Sequence, residues 1–224
     1  MTDIAYTVVI PAYNAAKFIK ETVASVFAQS LPPAHVIVID DGSTDNTADI
    51  VQNLSDKIEV ISTANHGQGH ATTLGASRVN TALMAFIDAD DLWRSNKIEC
   101  QIGYLLDATL APDAVLARMA PFGRTDLKTA REDRHPWHRS TLLIWTEAFR
   151  RVGPVVDLPN GYGEMIDWFA RATEAGLKFH MLDDVLSDRR IHEDSLSFKA
   201  RPGRDLDYLQ AAARALKRKK QNRP

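Results

Sequence analysis

The chain alternates short, continuously apolar runs with longer stretches in which apolar residues recur at helical spacing. "YTVVI" at 6–10, "HVIVI" at 35–39, "KIEVIS" at 57–62 and "MAFID" at 84–88 are rich in β-branched residues. They do not alternate with polar ones, which is the pattern of strands buried on both faces. Between the first two, Phe18, Ile19, Thr22, Val23, Val26 and Phe27 fall on one helical face, with Asn14 as a candidate cap and "SLPPA" as the stop. "DDGSTDNT" is a turn feeding a helix through Ala48, Val51 and Leu54, and the Gly-rich "NHGQGHATTLGA" leads into another short helix. Strands alternating with helices predict parallel βαβ units and a doubly wound α/β sheet with helices on both faces.

After about residue 110 the pattern changes. "DAVLAR" at 113–118 predicts one more strand, and 120–139 is irregular and rich in Arg and His. "TEAFRRVG" predicts a short helix, and "GEMIDWFARATEAG" a second one whose Met165, Trp168, Phe169 and Ala172 mark a buried face and which Gly176 stops. "KFHML" and "VLSDRRIH" read as two further strands, and "RDLDYLQAAARALKRKK" as a final amphipathic helix. The simplest organisation is one domain over 1–198, with a first half at 1–112 and a second at 113–198, followed by a basic helix and tail at 199–224.

Bulk composition narrows the function class. The 224 residues are 45% apolar and 25% charged, ordinary for a globular protein, and suffice for one sizeable domain. One cysteine, Cys100, permits no intramolecular disulfide. There is neither a basic-then-apolar leader nor an apolar run of the ~18 residues a membrane span needs. These features predict a cytoplasmic protein. The net charge of −2 conceals an asymmetry: residues 199–224 hold nine Lys/Arg and two Asp, a net of +7, which leaves −9 on the rest. An acidic body argues against a nucleic-acid groove. A basic tail suggests either a solvated helix end or peripheral contact with anionic lipid at the inner face of the membrane.

Candidate chemistry collects at the C-terminal ends of the predicted strands, where open parallel sheets bind ligands. "VIVIDDGS" delivers Asp40 and Asp41, "MAFIDADD" delivers Asp88, Asp90 and Asp91, and "IPAYN" delivers Tyr13. Crowded carboxylates repel one another unless a cation sits among them, and Mg²⁺ or Mn²⁺ characteristically takes one or two carboxylates plus substrate phosphates. Each motif alone has a bland reading. Asp-Asp-Gly-Ser is a good turn by itself, Asp-x-Asp is common on surfaces, and Glu164 and Asp167 suit the first turn of any helix. Asp167 can equally be tied to Arg171, its i+4 neighbour. His135, Trp137 and His138 can line an acceptor site or anchor a loop.

Taken in order, "VVIPAYNAAKFIKETVASVFAQS", "VIVIDDGSTDNTADIV" and "FIDADDLW" resemble the family-2 glycosyltransferases of the GT-A fold, over roughly residues 6–198. The resemblance implies metal-dependent transfer of a sugar from a nucleotide-sugar, normally a UDP-sugar, to an acceptor hydroxyl, with inversion. It implies a setting in cell-envelope polysaccharide biosynthesis, with a sugar, lipid-linked or small-molecule acceptor. Tyr13 would flank the nucleobase and Pro11 shape the pocket floor. Asp41 would accept a hydrogen bond from the base, Asp40 support the turn, and Asp88 hold the ribose or the metal's water shell. Asp90 and His192 would ligate the Mn²⁺ or Mg²⁺. The family's Gly-Glu-Asp base segment reads Gly163-Glu164-Met165 here, so either Glu164 or Asp167 takes the base's role or the base is absent; Glu164 is preferred, as it lies at the helix start nearest the "NGYG" loop. The family's Arg and Asn in the Gly-rich segment are replaced by Thr72 and Thr73, and His66, His70 or Arg78 are the candidates to replace their donors. Two rivals stand beside this reading: a nucleotide-sugar binder that has lost its base, and a nucleotidyltransferase, for which the Gly-rich basic loop after the first strand is missing.

Overall fold

The computed structural model describes residues 4–123, 137–193 and 203–221. His135, most of 120–139 and residues 194–198 after the candidate ligand His192 lie outside them. The chain folds as β1 (Tyr6–Ala12), α1 (Ile19–Phe27), β2 (His35–Asp41), α2 (Thr47–Gln52), β3 (Ile58–Thr63), α3 (Gln68–Arg78), β4 (Leu83–Phe86), β5 (Leu92–Trp93) and α4 (Lys97–Leu105). There follow β6 (Ala114–Gly123), a 3-10 turn (Arg139–Thr141), β7 (Leu143–Trp145), α5 (Thr146–Val152), α6 (Glu164–Glu174), β8 (Phe179–Ile191) and α7 (Arg204–Gln221).

The strands form one sheet of eight in the order β3-β2-β1-β4-β7-β6-β8-β5. The β1–β4 half is parallel, and β6 runs parallel to β8. The short β7 runs antiparallel to both β4 and β6, and β5 antiparallel to β8. The sheet is thus mostly parallel, with helices on both faces, as the sequence pattern predicts. Continuous apolar runs are needed because both faces are covered. In β1, Val8 and Ile10 pack with Ile19, Val23 and Ile98, while Val9 points the other way, into a cluster with Phe86, Phe149 and Trp168. No helix of the described residues is long and apolar enough to cross a membrane.

Several local expectations need correction. Asn14 does not cap α1. That helix starts at Ile19, and Asn14 sits at φ 49°, its side-chain oxygen accepting from Thr44 N (2.8 Å) and Thr44 Oγ1 (3.2 Å). It therefore ties the loop after β1 to the loop after β2. β4 ends at Phe86, so Asp88 to Asp91 lie in a loop instead of a strand. The two strands expected near the end are one, β8, which follows β6 through register shifts around Arg118.

Two buried features show how tightly this frame is packed. Lys97 is fully buried; its ammonium donates to Gln101 Oε1 (2.6 Å) and lies 4.2 Å from the Trp93 ring centre. Burial holds its pKa well below the usual lysine range. The other feature is the crossing of α3 over β1. A Cβ on Gly75 would stand 2.4 Å from Val9 Cγ1, so only a glycine lets the helix lie this close. Gly75→Ala should therefore lower unfolding free energy by about 1–3 kcal/mol through overpacking. Gly103→Ala, on the exposed side of α4 with nothing within 4 Å, should raise it by roughly 0.4–1 kcal/mol. Urea denaturation of the two variants checks both signs.

Candidate active site

The loops beyond β1, β2 and β4 meet at one edge of the sheet. Tyr13 stands out from it, 52% exposed, while Pro11 is buried beneath. The Asp-Asp pair that ends β2 turns inward. Asp40 accepts from Ser43 N at 3.3 Å and so braces its turn. Asp41 is buried, and its two oxygens accept from His66 N (2.9 Å) and Gly67 N (2.8 Å), fixing the entry to α3.

The first amides of α3 are also occupied. Asp157, from the loop before α6, accepts from Gly69 N and His70 N, both at 2.7 Å. A carboxylate at this end satisfies amides that have no partner inside the helix. It also latches the second half of the chain onto the first. The family's missing guanidinium is not replaced by Arg78, which lies at the opposite edge of the sheet in a cleft with Thr7 and His35. His66 and His70 stay at the site's rim with ring centres 4.7 Å apart.

A guanidinium does reach this place from Arg139, in the 3-10 turn, only 2% exposed. Its Nε lies 3.1 Å from Asp88 Oδ1, and its terminal nitrogens donate to Thr72 Oγ1 and to Glu164 Oε1. One buried cation thereby joins the first acid of Asp-x-Asp, the threonine at the family's departed position, and the candidate base. Nothing in the local sequence singles out Arg139; it is one of several basic residues in an irregular stretch. Its neighbour Ser140 accepts from Asp88 N (3.0 Å) and donates to Asp91 Oδ2 (2.6 Å). His138 Nε2 stands 3.5 Å from Asp88 Oδ2, which puts it beside the Asp-x-Asp loop. Trp137, in contrast, packs edge-on against Phe169 and Phe179 at 5.0 and 5.3 Å, as a loop anchor would.

The far end of β8 closes the site from the other side. His192 Nε2 and Asp90 Oδ2 are 2.9 Å apart, and the His192 ring lies 4.4 Å from that of Phe18. Arg190 donates from Nε to the Asp90 carbonyl (2.9 Å) and from its terminal nitrogen to Glu21 (2.6 Å).

This donor set fits a hard divalent ion. Burial first, and then the neighbouring Asp90 and Asp88, push the Asp91 carboxyl well above its usual range. A cation among them relieves that crowding. Two groupings are available. Asp88, Asp91 and His138 present ligand atoms within 4.8 Å of one another. Asp90 Oδ2 and His192 Nε2, 2.9 Å apart, are the second.

The two candidate bases separate clearly. Glu164 opens α6, is 8% exposed, and bonds Arg139. Burial raises its pKa, Arg139 opposes that, and Asp88 and Asp157 add to the rise. Asp167 is 2% exposed, with Oδ2 taking Arg171 Nε (3.0 Å) and Oδ1 taking Arg218 (2.9 Å). Its carboxylate ties α6 to α7 through Arg218, with both oxygens engaged. Met165 turns into the core with Trp168 and Phe169.

Residues 7–156 match the family model described as Glycosyl transferase family 2. The chain belongs to glycosyl transferase family 2. Its curated relatives include the chondroitin synthase of Pasteurella multocida, 28% identical over 217 residues, which covers 86% of this chain and 21% of that one. The chain spans between 21% and 43% of the length of the first curated relatives it matches. Among solved structures, the Pyrobaculum calidifontis mannosyltransferase PcManGT, in complex with GDP-Man and Mn²⁺, superposes with TM-score 0.74 at 19% identity, over 96% of this chain and 67% of that one. TarS 1–349 of S. aureus, in complex with UDP-GlcNAc, gives TM-score 0.73 at 19% identity, over 88% and 62%. At such identities the likeness establishes the shared GT-A fold.

Removing Arg139 should strand the buried Glu164 carboxylate and leave the half-buried Asp88 without its cation. Arg139→Met is expected to lower unfolding free energy by about 3–5 kcal/mol. Arg118→Met, whose partner Asp183 is 91% exposed, should cost no more than about 1 kcal/mol. Denaturant titration of both variants at neutral pH reads the difference.

Proposed function

We propose that this family-2 chain transfers a sugar from a nucleotide-sugar, of the UDP class, to an acceptor hydroxyl, with inversion. The observation that carries this reading is the placement of Glu164. It is a buried carboxylate with a raised pKa, held by Arg139 one residue away from the Asp-x-Asp loop. Tyr13 would flank the base, over the floor made by Pro11. Asp40 would brace the turn. Asp41 would meet the base through lone pairs left after its two amide bonds. Asp88 would hold the ribose. Asp90 and His192 would hold a divalent cation on the diphosphate; Mn²⁺ suits this mixture of carboxylate and imidazole. A bound cation would stabilise the negative charge that grows on the departing nucleoside diphosphate.

The chain's own residues supply the rest of the mechanism. Glu164 would take the acceptor hydroxyl's proton as its oxygen attacks the anomeric carbon from the side opposite the leaving group. A carboxyl raised toward neutrality is a better base at physiological pH than an ordinary one. Arg139 would keep Glu164 ionised and hold it at a fixed distance from Asp88. Asp167 takes no part in this step.

The reading is tested with UDP-GlcNAc as donor, by following UDP release and the configuration of the product. Glu164→Gln should reduce turnover by roughly a hundredfold or more, while nucleotide binding persists. Asp167→Asn should keep turnover within a few-fold and instead reduce stability. The rate should rise with pH along a limb above 4.5, the ordinary value for a glutamate. Full turnover in Glu164→Gln would refute the assignment. Wild type that binds nucleotide and metal but never turns over would favour the baseless binder, for which Met165 in the family's acid position is the observation.

A further inference from the structure

The 18-residue α7 has two faces with different jobs. The inner face is fastened to the body at both ends. Asp207, fully buried, accepts from Asn160 N (2.9 Å), Asn160 Nδ2 (2.9 Å) and Tyr162 N (3.1 Å), all in the loop that runs into Glu164. Nearly three turns later Arg218 donates to Glu174 (2.6 Å) and Asp167 (2.9 Å) on α6. Ala211, between them, is buried.

The outer face is apolar and uncovered. Leu206, Leu209 and Leu216 are 54%, 67% and 61% exposed, at positions that line up along one side of a helix, with exposed Ala212 and Ala213 between them. Beside the end of this stripe, Lys217, Lys219 and Lys220 are exposed and have no ion-pair partner among the described residues. An apolar stripe with lysines along its border is the composition of a helix lying in a membrane interface. The leucines enter the acyl boundary, and the lysine stems lie along it with their ammonium groups among the headgroups.

We propose that the outer face of α7 docks onto an anionic lipid surface. The charge distribution selects this occupant. The +7 of residues 199–224 sits on a remainder of −9, so an anionic bilayer attracts α7 and repels the rest of the surface. Because the inner face of α7 grips α6 and the loop before Glu164, docking sets the base's end of the site close behind the lipid surface. The inference does not depend on the transferase reading, since it concerns binding alone.

The test is sedimentation of the full chain with vesicles of phosphatidylcholine alone, or with about a quarter phosphatidylglycerol, at low salt and at about 0.5 M salt. Wild type should bind the anionic vesicles, bind the neutral ones at least tenfold more weakly, and lose binding as salt rises. Leu209→Glu/Leu216→Glu should weaken binding at least tenfold, with thermal unfolding unchanged because both side chains are solvent-facing. Lys217→Gln/Lys219→Gln/Lys220→Gln should weaken it by roughly fivefold per residue at low salt. Absence of wild-type binding to the anionic vesicles would overturn the proposal, as would a leucine variant that binds like wild type. So would light scattering that shows a dimer dissociated by the leucine substitutions, because a second copy would then cover the stripe.

Discussion

The site depends on one buried cation shared by three parts of the chain. Arg139 contacts Asp88 in the loop after β4, Thr72 on α3 and Glu164 at the start of α6. A guanidinium suits this role because its donors are fixed in a plane and it stays charged when buried. Without it, Asp88 and Glu164 would be desolvated anions facing each other. With it, the negative charge around Asp88, Asp90 and Asp91 is only partly balanced, which leaves an electrostatic place for a divalent ion. Ser140, the next residue, bridges the Asp88 amide and the Asp91 carboxylate, so two consecutive residues brace the Asp-x-Asp loop from one side while Arg190 and His192 hold Asp90 from the other.

The same economy appears on the other side of the site. Asp157 closes the start of α3, Asp207 holds the loop before Glu164, and Asp167 joins α6 to α7 through Arg218. Each is an acid whose oxygens are taken up by amides or guanidinium groups. These three acids are thus ties of the scaffold. Glu164 differs in its surroundings: burial pushes its pKa up despite its arginine.

Much of this was legible in the sequence because it rests on local pattern. The four parallel strands announce themselves as apolar runs, and Asp40, Asp41, Asp88 and Asp90 follow them directly. Met165 could be assigned to the core from helical spacing, and Asp167 to Arg171 from the i+4 rule. What stayed hidden depends on contacts between distant residues. Arg139 reaches Thr72 across 67 positions, and no local signal distinguishes it from the basic residues around it. β5 and β7, of two and three residues, are too short to show a period and form because β8 and β4 offer them ladders. Asn14 has the composition of a helix cap, but bonding to Thr44 across the loops wins. The different surroundings of Glu164 and Asp167 were hidden because they come from Arg139 and Arg218, which lie elsewhere in the chain.

The most direct test of the central claim, that the crowded carboxylates form a metal-assisted site for a nucleoside diphosphate, is calorimetric titration of UDP with Mn²⁺ and with EDTA, on wild type and Asp90→Ala. The account predicts micromolar binding by wild type that disappears with EDTA and in the variant. Failure of UDP and GDP alike to bind wild type, with or without metal, would contradict it, and the fold would then carry a different ligand at this edge of the sheet.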